Sequence, residues 1–151
     1  MARLFSPVMK RRILLVDDDH AVLQSLARVL FSENYSPLLA KNGENAIEIL
    51  ASTRVDLIML DLNMPVRDGW KTFQDLSWDY PLLPIIIMTA RSNQIFPALA
   101  AGVGALMEKP FDFPKLLQTI DALLAEPVEA RLARNAGKPS QFHYTPPLPA
   151  A

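Results

Sequence analysis

Cysteine is absent from all 151 residues, which excludes disulfides, thiol catalysis and zinc–thiolate sites. Histidine is scarce: His20 and His143 stand singly, without carboxylates at ligand spacing, so neither marks a metal site. No apolar run reaches the ~20 residues that a membrane-spanning helix needs. Net charge is small as well, −1 in formal count, which removes the electrostatic case for nucleic acid or an acidic surface as partner. Residues 1–8 lack a continuous apolar stretch ahead of Lys10-Arg11-Arg12, so a secretory leader is not expected and a soluble cytoplasmic chain is. What the chain does have is apolar bulk. Hydrophobic residues make up 50% of it, enough for one core and one domain.

Short apolar runs alternate with helical patterns. Ile13–Val16 is unbroken and reads as a first strand. After Asp17-Asp18-Asp19, residues Leu23, Leu26, Ala27 and Leu30 recur at helical spacing with Gln24, Ser25 and Arg28 opposite, and Asp19 is placed to cap that helix. Tyr35–Ala40 is a weaker strand that Pro37 assigns to an edge. Asn42 caps a second helix with Ala46, Ile47 and Leu50 inward. Val55–Leu60, too short for a buried helix, reads as a buried parallel strand ending at Asp61, after which Pro65 and Asp68-Gly69 turn the chain. Trp70, Phe73 and Leu76 mark a third helix, and Ile85–Met88 a fourth strand behind Pro81 and Pro84. A short helix over 92–101 leads to a strand at Ala105–Glu108. The last helix starts near Asp112, with Pro114 in its first turn and a stripe of Leu116, Leu117, Ile120 and Leu124. Five βα units with right-handed crossovers make a doubly wound α/β fold.

Acids gather where strands end. Asp17 and Asp18 follow strand one, and Asp61 follows strand three. In a sheet ordered 2-1-3-4-5 these strands are neighbours, and such sheets bind ligands at the carboxyl ends of their strands. Like charges at that separation raise one another's pKa unless a cation sits among them. Oxygen-only donors with spare positions suit Mg²⁺. Thr89 ends strand four with a hydroxyl, and Lys109 ends strand five with a point charge. Singly, each has an ordinary use as a cap, a turn residue or a solvated end. Together, at four neighbouring strand ends, they point to one site.

Over roughly residues 11–126 the chain resembles the receiver domain of two-component response regulators. The matching stretches are Ile13-Leu14-Leu15-Val16-Asp17-Asp18, Asp61-Leu62-Asn63-Met64-Pro65 with Asp68-Gly69, Met88-Thr89-Ala90 and Lys109-Pro110-Phe111. The resemblance implies the flavodoxin-like (βα)5 receiver fold, a five-stranded parallel sheet in the order 2-1-3-4-5. It implies that Asp61 is the phosphoacceptor, and that Asp18, Asp61 and the main-chain carbonyl of Asn63 ligate Mg²⁺ (or Mn²⁺ in its place), with Asp17 holding the metal through water. Thr89 would hydrogen-bond the phosphoryl group and Lys109 would pair with it. The Lys109-Pro110 bond would be cis, and Pro110 and Gly69 would serve structural roles. Asn63 and Arg91 occupy the positions that tune phosphoryl lifetime in the family; Arg91 either contacts the phosphoryl group or hinders water. The implied donor is a phosphohistidine on a sensor histidine kinase or a histidine phosphotransfer protein. The product is an aspartyl phosphate, later hydrolysed at the same site.

Two features depart from the family. Leu106 stands where the family carries an aromatic switch residue, and Pro97 falls inside a shortened fourth helix, where it removes a hydrogen bond. A haloacid-dehalogenase-type hydrolase, also with an Asp nucleophile and Mg²⁺, is the rival from another class. It needs a second Asp two residues after the first, where Asn63 stands. A flavin binder would need a Gly-rich loop after strand one, where three acids stand. A degenerate receiver that only docks is the third reading. Residues 1–10 read as an N-terminal extension. Residues 127–151 hold five of the 13 prolines and no period, and read as a disordered tail. In that tail Arg131, Arg134 and Lys138 read as solvated, and the proline run after Tyr144 as a plain tail. No nucleic-acid domain or other output domain follows the receiver within these residues, so the expectation is a single-domain regulator that signals through a partner protein or by phosphorelay.

Overall fold

Each unbroken apolar run folds as a strand, as seen in a computed structural model that describes residues 9–63, 69–91, 93–137 and 141–149. In chain order the elements are β1 (Arg12–Val16), α1 (His20–Ser32), β2 (Ser36–Ala40), α2 (Gly43–Ser52), β3 (Leu57–Asp61) and α3 (Gly69–Asp79). These are followed by β4 (Ile85–Thr89), α4 (Ile95–Ala101), β5 (Ala105–Glu108), α5 (Phe113–Ala125), α6 (Val128–Asn135) and β6 (His143–Thr145). Among the described residues the strands form one sheet in the order β2-β1-β3-β4-β5-β6, every pair parallel. The expected order 2-1-3-4-5 is present, with a sixth strand added beside β5.

Side chains alternate across the strands and so supply two cores. Leu14, Ile58, Leu60, Ile87 and Leu106 pack on one face with Ala46, Phe73 and Leu76. Ile13, Leu57, Met59, Ile86 and Met107 pack on the other with Leu23, Leu26, Leu116 and Ile120. The helices start where their caps stand. Asp19 accepts from the amides of Ala21 and Val22, Asn42 from Asn45, and Asp112 from Lys115. In α5 the fully buried stripe is Leu116, Thr119, Ile120 and Leu123. Leu117 and Leu124 sit partly buried at its margin, so the inward residue of the last turn is Leu123 and not Leu124.

One reading of a single residue changes, and another gains a physical reason. Because α4 begins at Ile95, Pro97 lies in its first turn, where the amide has no helical partner to lose. The proline therefore breaks nothing. Gly69 opens α3, and a Cβ there would lie 2.4 Å from Leu62 Cα, so close backbone approach demands glycine at that point. Met64–Asp68, with the expected turn residues Pro65 and Asp68, lies outside the described residues, as do 1–8 of the N-terminal extension.

The largest correction concerns residues 127–151. In place of a patternless tail, α6 lies against the amino ends of the strands and β6 pairs with β5. Arg134 is buried and makes two bonds to the Glu126 carboxylate, at 2.7 and 2.5 Å. Arg131 donates to the carbonyls of Leu123 and Leu124 at 3.0 and 3.3 Å, satisfying the open end of α5. Asn135 bonds the Pro81 carbonyl. Polar anchors with long apolar stems hold this segment, so hydrophobic periodicity could not reveal it. Lys138, the third member of the basic trio, lies outside the described residues. Among the described residues no helix is long and apolar enough to cross a membrane.

Candidate functional site

The strand ends carry the chemistry because the ladders run one residue past the apolar runs. The Asp17 amide donates to the Ala40 carbonyl at 3.1 Å, continuing β1 against β2. Asp61 is the last residue of β3, and the Leu62 amide still donates to Met88 of β4 at 3.0 Å. The Lys109 amide donates to the Thr89 carbonyl at 2.7 Å, carrying β5 one residue past Glu108. Asp17, Asp61, Thr89 and Lys109 are thus held by main-chain bonds at the ends of four neighbouring strands. Only Lys109 among them keeps appreciable contact with solvent.

The side chains meet. Lys109 Nζ is 3.0 Å from Asp17 Oδ2 and 3.7 Å from Asp61 Oδ1. Asp17 Oδ1 also accepts from the Asp19 amide at 2.9 Å, and Asp61 Oδ1 from the Asn63 amide at 3.2 Å. Asp18 is exposed, yet its carboxylate lies with those of Asp17 and Asp61 in one group whose oxygens are all within 4.8 Å of one another. The Thr89 hydroxyl, fully buried, accepts from the Arg91 amide at 3.0 Å. Asn63 and Arg91 are exposed at the rim. Leu106 is elsewhere: it is buried in the core below, three residues before Lys109. Pro110 follows a cis peptide bond.

Charge in this cluster does not balance. Among the described residues, three carboxylates face one ammonium. Burial and the neighbouring Asp17 charge push the Asp61 carboxyl up to about 6, against the pull of Lys109 and the Asn63 amide. The donor set is entirely oxygen, two carboxylates buried and one open to solvent, which is the chemistry of a hard divalent cation that retains water. A group of this kind can hold a cation, present a carboxylate as a nucleophile and pair an incoming anion with Lys109.

One site neighbour was not visible in the sequence. Glu108, buried, accepts a bond from the Tyr144 hydroxyl at 2.9 Å. Tyr144 belongs to the segment that shows no periodicity, so only the fold brings it to the strand that carries Lys109.

The chain is similar to known proteins in sequence and fold. Residues 13–121 match the response regulator receiver domain family. The response regulator MprA of Mycolicibacterium vanbaalenii is 41% identical over 115 residues, 75% of this chain and 50% of that protein. MprA of Mycobacterium tuberculosis is 41% identical over 118 residues, 77% of this chain and 51% of its own. The chain therefore spans about half the length of the curated relatives it matches. Among solved structures, a CheY-like receiver domain protein from Methanospirillum hungatei superposes with a TM-score of 0.71 at 28% identity, over 77% of this chain and 94% of that one. TrrA of Thermotoga maritima, solved in complex with Mg²⁺ and BeF, gives 0.70 at 29% identity, over 75% and 98%. Family match and fold agree, and the chain belongs to the response regulator receiver domain family.

Proposed function

We propose that this receiver takes a phosphoryl group onto Asp61 from a phosphohistidine of a sensor histidine kinase or phosphotransfer protein, in a Mg²⁺-dependent reaction. The observation that carries the reading is Asp61 itself, a buried carboxylate 3.7 Å from one ammonium and grouped with two further carboxylates. Asp18, Asp61 and the Asn63 carbonyl would hold the metal, with Asp17 through water; Mn²⁺ would serve in its place. The bound ion would supply positive charge opposite the equatorial oxygens of the transferring group.

The protein's own residues do the rest. An Asp61 oxygen attacks phosphorus in line as the phosphorus–nitrogen bond breaks and the imidazole leaves. Strand-end hydrogen bonds hold Asp61 in position, so little reorientation is needed. Lys109 moves its charge to the new phosphoryl oxygens, and the Thr89 hydroxyl donates to another. Later a water attacks the same phosphorus and returns the carboxylate, at a rate set by what Asn63 and Arg91 place at the rim. Such a protein is a switch that catalyses its own loading and clearing. Its output is the binding of a partner or onward transfer of the phosphoryl group. A groove of about 380 Å³ beside Lys109, lined in part by Val22, Leu26, Pro110 and Phe111, offers the donor an apolar seat next to the site.

Intact-mass measurement after incubation with acetyl phosphate and Mg²⁺ tests the reading. One base-labile phosphoryl adduct is expected, absent without the metal and absent in Asp61→Asn. An adduct that survives the substitution in equal yield overturns the assignment of Asp61, and the absence of any adduct in the parent chain leaves a docking module that does not use phosphate.

A further inference from the structure

The bonds that fasten the C-terminal segment to the body fall on either side of one residue, Lys109. On its amino side, Glu108 accepts from the Tyr144 hydroxyl at 2.9 Å. On its carboxyl side, the Pro110 carbonyl accepts from the Leu148 amide at 3.0 Å. Between these grips Lys109 is tied to the site, by its amide to Thr89 at 2.7 Å and by its ammonium to Asp17 at 3.0 Å and Asp61 at 3.7 Å. The remaining attachments are Phe142, partly buried against the core, and β6, three residues long, paired with β5 as His143↔Ala105, Tyr144↔Leu106 and Thr145↔Met107, with the His143 amide on the Gly104 carbonyl at 3.1 Å. Within β6 only Thr145 is buried, and residues 146–149 are exposed. A strand held by a few hydrogen bonds and little burial opens at low cost.

We propose that residues 141–149 form a releasable strap along the β5 edge, whose docking is governed by the phosphoryl state of the site through Lys109. The proposal rests on the reading of Asp61 as the acceptor. In the unmodified site, Lys109 leans on Asp17. A phosphoryl group on Asp61 adds oxygens that draw the ammonium away from Asp17. Residue 109 cannot shift alone, because the strap grips both of its chain neighbours and bonds at 2.9 and 3.0 Å tolerate little displacement. The strap therefore fits the unmodified site better. By linkage, whatever factor the modified site costs the strap, the strap costs the modified site. Its departure leaves the main chain of β5 as an open strand edge, a surface able to pair with another extended segment.

Residue-resolved amide exchange on the full chain, with Mg²⁺ alone and with Mg²⁺ plus beryllofluoride, tests this. The His143 and Leu148 amides should exchange about fivefold faster or more once beryllofluoride is bound. Tyr144→Phe keeps the ring and removes the bond to Glu108. It should raise strap exchange in the unmodified state and tighten beryllofluoride binding, by calorimetry, about fivefold. Beryllofluoride that protects amides around Asp61 while strap exchange stays unchanged or slows overturns the strap and leaves the acceptor reading intact. Equal beryllofluoride affinity in Tyr144→Phe and the parent does the same. Absence of any heat or protection on adding beryllofluoride overturns the acceptor reading, and the strap with it.

Discussion

Two buried groups of charge lie at opposite ends of the sheet, and they are built on opposite plans. At the amino end, among the described residues, Arg134 makes two bonds to the Glu126 carboxylate, and Arg131 adds a second cation 3.9 Å away. At the carboxyl end, among the described residues, the Asp17, Asp18 and Asp61 group meets one ammonium, that of Lys109 on Asp17 and Asp61, and the Asp61 carboxyl is pushed up to about 6. The first group satisfies its anion and fastens a helix. The second leaves anionic charge unmatched, which costs stability and makes room for a cation. Burial alone therefore does not mark function; the mismatch of charge does.

The largest effect should come from breaking the matched group. Arg134→Ala leaves Glu126 buried with only the more distant Arg131, and should lose about 3 kcal/mol in urea unfolding. Replacing both partners, Arg134→Met with Glu126→Gln, should recover part of that loss, because Glu126 no longer carries an unmatched charge, while Arg131 keeps its bonds to the Leu123 and Leu124 carbonyls. A loss below about 1 kcal/mol for Arg134→Ala would show that α6 is not fastened through this pair.

Relief of the unmatched group should run the other way. With EDTA present, Asp61→Asn should raise stability at pH 7 by about 2 kcal/mol. The sign follows from the shift: the folded-state carboxyl titrates near 6 and the free one near 3.8, so protonation favours the folded form. The stability linked to this group is fully present below pH 3.8 and is lost as pH rises through 6. The gain from the substitution should accordingly shrink as pH falls from 6 toward 4. A gain independent of pH would assign it to something other than charge.

Magnesium should distinguish the two ends at smaller amplitude. At ten times its dissociation constant the ion should stabilise the parent by about 1.4 kcal/mol, and Arg134→Ala by the same amount, since distant sites add. Asp18→Asn, at an exposed position, should change metal-free stability by less than about 0.5 kcal/mol yet lose most of the magnesium increment. Thermal scans with and without the ion check both. An undiminished increment in Asp18→Asn would remove that residue from the metal site.

The carboxyl-end group was legible because its members each follow an apolar run. Asp17 ends the run from Ile13, Asp61 the run from Leu57, Thr89 the run from Ile85 and Lys109 the strand from Ala105. A parallel sheet converts such positions into neighbours once strand order is known. The amino-end group left no such trace. Arg131 and Arg134 sit in a proline-flanked, polar stretch, and what buries them is the C-terminus of α5, eight residues from Arg134 in the case of Glu126. At Gly69 the structure adds a requirement that no local pattern records, the close approach of the Leu62 backbone.

By itself the sequence determined the first five strands, the caps at Asp19 and Asn42, the two-faced core and the residues at the strand ends, because apolar periodicity and side-chain chemistry act locally. Tertiary structure alone decided three further things. It placed Pro97 in the first turn of α4, where it does no harm. It carried Arg134 to Glu126. It laid Tyr144 beside Leu106, within reach of Glu108 and so next to Lys109. The first turns on where the helix begins, the second on a buried charge meeting its partner, and the third on a hydroxyl 36 residues from its acceptor; no apolar periodicity records any of them.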